Sequence, residues 1–136
     1  MQVQRDMHVY VPDNGASGFG TMKFSKKLTT TDATATVIYA VSVAVGEAVG
    51  ITVRLLGKKS DATAAFGSQG LAEARRQSAG NVTIVGTAVT TAREDSAGIP
   101  AITFVANTST QQLEVKCTGI AAETWLWEAH IEVTKI

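Results

Sequence analysis

The stretch "ETWLWEAHIEV", Glu123 to Val133, decides how this chain folds. Trp125, Trp127, Ala129, Ile131 and Val133 occupy every second position. Thr124, Glu128, His130 and Glu132 fill the alternate ones, with Leu126 the one misfit. Successive side chains of a β-strand point to opposite faces. The pattern therefore turns both tryptophans of the chain to one side and carboxylates and an imidazole to the other. Each indole has about 150–250 Å² to bury, which requires a second layer against that side. The segment reads as a core strand and not as the lining of an active site.

Period two recurs outward from this strand. Leu113, Val115 and Cys117 share a face after the turn "NTSTQQ", and Ile102, Phe104 and Ala106 alternate before it. Val37, Tyr39, Val41, Val43 and Val45 are expected on one face, and Val49, Ile51, Val53 and Leu55 on that of the next strand, closed by Gly57-Lys58-Lys59-Ser60-Asp61. "VIYAVSVAVGEAVGITV", Val37 to Val53, is the only candidate for a membrane span. It carries Glu47, Gly46 and Gly50, and it reads as two strands joined at "GEAVG". Near the start, Val3, Met7, Val9 and Val11 share a face up to Pro12-Asp13-Asn14-Gly15, and Met22, Phe24 and Leu28 group together later. "DATAAFGSQGLAEARRQSAG" is the ambiguous stretch. It reads as a loop followed by a strand carrying Arg75 and Arg76, with a short helix over "LAEARRQ" as the alternative. Eight or nine short strands with turn signals between them, and no long helix, predict an all-β fold. The expected form is an antiparallel β-sandwich, jelly-roll-like, with an N-terminal arm or added strand. Residues 1–27 are expected to form the arm and residues 28–136 the sandwich.

Composition narrows the function. Twelve basic and twelve acidic residues give a formal net charge of zero, with no long basic block. Phosphate neutralisation drives nucleic-acid affinity, so no nucleic-acid partner is expected. The first ten residues lack an apolar run, and no secretory leader or membrane partner is expected. Cys117 is the only cysteine and falls in phase with core residues, as a small buried hydrophobe.

Catalytic chemistry finds little footing. "GITVRLLGKKS" places six residues between Gly50 and Gly57 and inserts Lys59 before Ser60, against the spacing of a phosphate-binding loop. His8 and His130 have no ligand spacing between them, and no G-x-S-x-G elbow occurs. Glu128 and Glu132 share a strand face, and Glu94-Asp95 sits in a turn, but surface carboxylates are the ordinary reading of both. No enzyme, cofactor or metal is expected.

The order of features adds a resemblance. "LTTTDATATVIYAVSV", "GITVRLLGKKSD", "ARRQ", "GNVTIVGT" and the "EDSAG" turn lead into "ITFVANTSTQQLEVKCTGIAAETWLWEAHIEV". Between Leu28 and Val133 this resembles the small β-sandwich modules of tailed-bacteriophage virion proteins. Such modules occur in tail and head fibres and as stand-alone capsid proteins. The most telling piece runs from Cys117-Thr118-Gly119 to Val133, a strand, T-G, a short loop, then W-x-x-x-I-x-V. The resemblance implies no active site. With residues 1–27 too few for a fibre shaft, it implies a capsid decoration or cement protein on the virion surface. Its expected partners are the major capsid protein and its own copies in a homotrimer. Val3, Met7, Val9 and Tyr10 are the expected partner contacts of the arm. The alternative is a fibre tip that recognises a host cell-surface glycan through loops at Gly57 to Gly70 and Asn107 to Gln112.

Overall fold

The computed structural model describes residues 9–12, 20–94 and 102–136. Ten strands follow one another: β1 (Val9–Pro12), β2 (Gly20–Thr30), β3 (Ala35–Ser42), β4 (Ala48–Lys59), β5 (Ala65–Arg75), β6 (Thr83–Ile84), β7 (Val89–Glu94), β8 (Thr103–Asn107), β9 (Gln112–Thr118) and β10 (Trp125–Lys135). They form two antiparallel sheets. The larger runs β1-β2-β10-β4-β5, with β6 and β7 both pairing with β5. The smaller runs β3-β9-β8. The chain is an all-β sandwich. Pairing β2 with β10 and β3 with β9 nests early strands on late ones, as in a jelly roll, while β4 and β5 stay together as a long hairpin.

The opening strand behaves as its pattern requires. Trp125, Trp127, Ala129, Ile131 and Val133 are all buried, in one core with Val41, Leu113, Val115 and Cys117 of the smaller sheet. Val53 belongs to that core as the in-sheet neighbour of Ile131, rather than across from it. The indoles of Trp125 and Trp127 stack with centroids 5.5 Å apart, and Phe66 meets Trp127 edge-on at 5.6 Å. A buried indole N–H needs an acceptor. Trp127 Nε1 donates to Thr30 Oγ1 (2.9 Å), and Trp125 Nε1 donates to Glu123 Oε2 (2.8 Å), whose other oxygen lies 3.5 Å from Lys59 Nζ.

Gly119, the glycine of the T-G pair, has a packing reason. A Cβ there would collide with Thr30 Oγ1 and stand 2.8 Å from the carbonyl oxygen of Asp32. The chain after β9 thus passes against the residue that receives the Trp127 N–H.

Several expectations need correction. In the Ala/Gly-rich stretch the expected strand carrying Arg75 is present, but it begins as early as Ala65, stops before Arg76 and leaves no place for the alternative helix. It is β5, an eleven-residue strand that ends at Arg75, with Phe66, Ser68, Gly70, Ala72 and Ala74 facing inward. After Phe66 the inward residues are small, and at Gly70 the opposing layer comes close: a Cβ there would lie 2.8 Å from the Phe104 ring. The strand expected to close at Gly57 continues to Lys59. Only Ser60 to Ala64 turns, with Ala62 at φ 61° and Asp61 Oδ1 accepting from the N–H (3.0 Å) and hydroxyl (2.7 Å) of Thr63. In β3 a register shift between Val37 and Tyr39 sends Val37 outward and tucks Ile38 into the core, the effect of one extra residue in a bulge. The division expected after Lys27 falls inside β2, which pairs with β10 along its whole length. Val37 to Val53 is split between the two sheets, and among the described residues no helix is long and apolar enough to cross a membrane.

Cys117 is buried in the core, and desolvation pushes its thiol up to about 11. The thiolate is the reactive form. At pH 8 Cys117 should therefore stay unmodified by a thiol reagent while the protein is folded and react at once in denaturant. Rapid labelling of the native protein would show that this part of the core opens.

Candidate functional site

The residues nominated from sequence fall in several places. Val3, Met7 and His8 lie outside the described residues. Val9 and Tyr10 belong to β1, which pairs with β2 of its own chain: Val9 opposite Lys23 and Tyr10 opposite Met22. The added strand thus extends the larger sheet at its β2 side. Gly57 to Gly70, expected as an exposed loop, is mostly strand on both sides of the Ser60–Ala64 turn. Asn107 to Gln112 is the β8–β9 turn, built by Asn107 Oδ1 accepting from the N–H groups of Ser109 (3.0 Å) and Thr110 (3.2 Å). Gln111 ties this turn to the β6 approach, because its Oε1 accepts from the Val82 N–H (2.8 Å) and its Nε2 donates to Asn81 Oδ1 (2.8 Å).

The carboxylates of β10 do not make a catalytic pair. Glu128 and Glu132 are four strand steps apart, which is roughly 13 Å of backbone; the two carboxyls of a glycosidase stand about 5–9.5 Å apart. Each is also held by a lysine: Glu132 Oε2 lies 3.3 Å from Lys23 Nζ, and Glu128 Oε1 lies 3.7 Å from Lys27 Nζ. His130 is exposed between them, with Nε2 3.8 Å from Glu128 Oε2. Among the described residues no three His, Cys, Asp or Glu side chains are grouped to hold a metal.

What the strands do assemble is a broad outward face on the larger sheet. Its cross-strand rows follow from the register. One row is Lys27, Glu128, Leu56, Gly67 and Arg93; the next is Ser25, His130, Arg54, Gln69 and Thr91; a third is Lys23, Glu132, Thr52, Leu71 and Val89. Leu126 and Lys58 stand opposite each other beyond the first row, with Ala65 next to Lys58. Two apolar areas result. Leu56 (63% exposed) and Leu126 (40%) flank a groove of about 710 Å³ that Ala65 and the stems of Lys27 and Lys58 complete. Leu71 (44%) and Val89 (60%) form a directly opposed pair on the other side.

Between these areas lies a second concavity of about 380 Å³, bordered by Arg54, Leu56, Gly67, Gln69, Thr91, Arg93 and His130. Gly67 is its floor, since a Cβ built there meets nothing within 4 Å. Of the acidic groups on this face, Glu128 and Glu132 are engaged by Lys27 and Lys23. Neither Arg54 nor Arg93 forms an ion pair among the described residues. The outward position of Arg54 is readable from the alternation Thr52, Arg54, Leu56, Lys58. That Arg93 borders the same concavity is not, because it depends on β5 lying between β4 and β7.

No protein family model matches the sequence, and no curated protein matches it. One solved structure with a similar course is the tailspike protein gp49 of Acinetobacter baumannii bacteriophage Fri1, a capsular polysaccharide depolymerase. The likeness has a TM-score of 0.41 at 9% identity and covers 99% of the present chain. The chain spans 22% of that protein's length.

Proposed function

We propose that this chain is a binding protein of a tailed-phage virion, a decoration protein that docks on the outer side of the major capsid shell as a homotrimer and stabilises it. The observation that supports a binding role is the outward face of the larger sheet, which exposes Leu56, Leu126, Leu71 and Val89 around a polar centre. Contiguous exposed apolar side chains rimmed by polar ones mark interaction surfaces. The order of motifs from Leu28 to Val133 supplies the virion context. The sandwich has the form of a scaffold: its aromatic side chains Trp125, Trp127, Phe66 and Phe104 are spent on the core. β1, at the end of the sheet among the described residues, offers a strand edge to which a partner strand can add.

The test is occupancy on expanded shells of the parent phage that lack the protein. The parent chain should coat them at fixed stoichiometry. Deleting Met1 to Val11, or replacing Leu56 and Leu126 by serine, should lower occupancy by at least ten-fold with the sandwich still folded by circular dichroism. A parent chain that ignores shells and binds host cells instead would replace this reading by that of a glycan-recognising fibre tip.

A further inference from the structure

We infer that the concavity over Gly67 is an anion site that receives an acidic side chain, Asp or Glu, from the partner protein; this rests on the docking role proposed above and names its chemistry. Three observations converge on it. Arg54 and Arg93 reach it from opposite sides of β5, one in the row of Gln69 and the other in the row of Gly67. Neither has an acidic partner among the described residues, although the lysines of β2 on the same face do. The missing side chain at Gly67 leaves open space in the concavity that both arginines border. Gln69, Thr91 and His130 add polar atoms to the rim.

A guanidinium presents a planar fork of N–H donors that matches a carboxylate. Two of them rooted in one sheet, on the strands that flank β5, have backbones already in place, so only their side chains need ordering on binding. The surroundings select a polypeptide over an acidic sugar. Leu56 and Leu126 lie on one flank and Leu71 and Val89 on the other, spaced for apolar side chains on either side of a central acid. No aromatic ring of β2, β10, β4 or β5 faces outward, so the described face offers a sugar ring no flat surface to stack on. Glu128 lies in the row of Gly67, but Leu56 stands between them and Lys27 and His130 engage its carboxylate.

The experiment is a titration of the ¹⁵N-labelled full chain with an acetylated pentapeptide carrying glutamate between valines, against the same peptide with glutamine. The glutamate peptide should shift the Gly67 amide and the Arg54 and Arg93 Nε–H signals, and added salt should weaken it. The glutamine peptide should leave them in place. Arg54→Gln and Arg93→Gln should each weaken binding roughly ten-fold, the scale of one charge-assisted hydrogen bond. Gly67→Val should abolish binding while leaving the melting temperature unchanged or higher, since the new side chain has room and suits a strand. Equal shifts with both peptides, unchanged affinity in the variants, or binding of a glucuronate oligosaccharide in place of the peptide would each overturn the assignment. Shell binding separates the two levels. If the parent and the Arg54→Gln, Arg93→Gln double variant coat shells equally, the site falls and the docking role stands. If the parent takes the peptide at Gly67 but coats no shell, the site stands and the docking role falls.

Discussion

Trp127→Ala should leave the protein largely unable to hold its two layers together. The indole is buried, stacks on Trp125, meets Phe66 edge-on and donates to Thr30. Truncating a buried aromatic costs roughly 3–5 kcal/mol, and here the buried Thr30 hydroxyl loses its donor as well. Domain stabilities are only about 5–15 kcal/mol. For a domain of this size the loss corresponds to a melting temperature lower by roughly 10–20 °C. Thermal denaturation followed by tryptophan fluorescence, read from the remaining Trp125, provides the check. A midpoint within a few degrees of the parent would show that Trp127 is not the junction between the sheets.

The second large effect comes from adding atoms at the same place. Gly57 lies directly opposite Trp127 on β4, and a Cβ there would fall onto the six-membered ring, against Cε3 and Cζ3. Overpacking a well-filled core costs about 1–3 kcal/mol. The ring cannot retreat, because Trp125 and Phe66 hold it from other sides. Gly57→Ala should therefore destabilise by about 2–3 kcal/mol, and Gly57→Val should prevent folding. Combining Gly57→Ala with Trp127→Phe, which shortens the ring system, should recover part of the loss. A double-mutant cycle measures that coupling, and simple additivity would show that the glycine is not there to admit the indole.

These two residues mark how far the fold was legible. β10 was clear because its alternation is nearly perfect and its inward residues are large. β9 was clear for the same reason. Only the Arg75 end of β5 was legible, because the inward face before it is built from Ser68, Gly70 and Ala72, which look like a flexible segment until Phe104 is seen lying over Gly70. Composition reports the size of a side chain, whereas the fold also needs the space left by what faces it. The bulge in β3 was illegible for a related reason: Val37, Ile38 and Tyr39 are all good strand residues, and nothing local says which one is extra. For the candidate site, the outward positions of Arg54 and His130 followed from alternation. The pairing that sets Gly67 beside Arg93 and Leu56 is a long-range property of the sheet. The N-terminal strand was expected, and β1 is present; its pairing with β2 of the same chain was not.

The place of β10 between β2 and β4 sets the timing of assembly. The strand that unites the larger sheet leaves the ribosome roughly 95 residues after Thr30, its partner on β2. At about 5–20 residues per second, β2 waits roughly 5–20 s for it. During that interval the β4–β5 hairpin can already close, but β4 and β2 each keep one backbone edge and an apolar face open to other nascent chains. Loop closure over such a distance also slows refolding of the finished chain, into the millisecond-to-second range usual for β-sandwiches. Yield in the cell should therefore depend on expression temperature and holdase chaperones more steeply than the equilibrium stability alone would require.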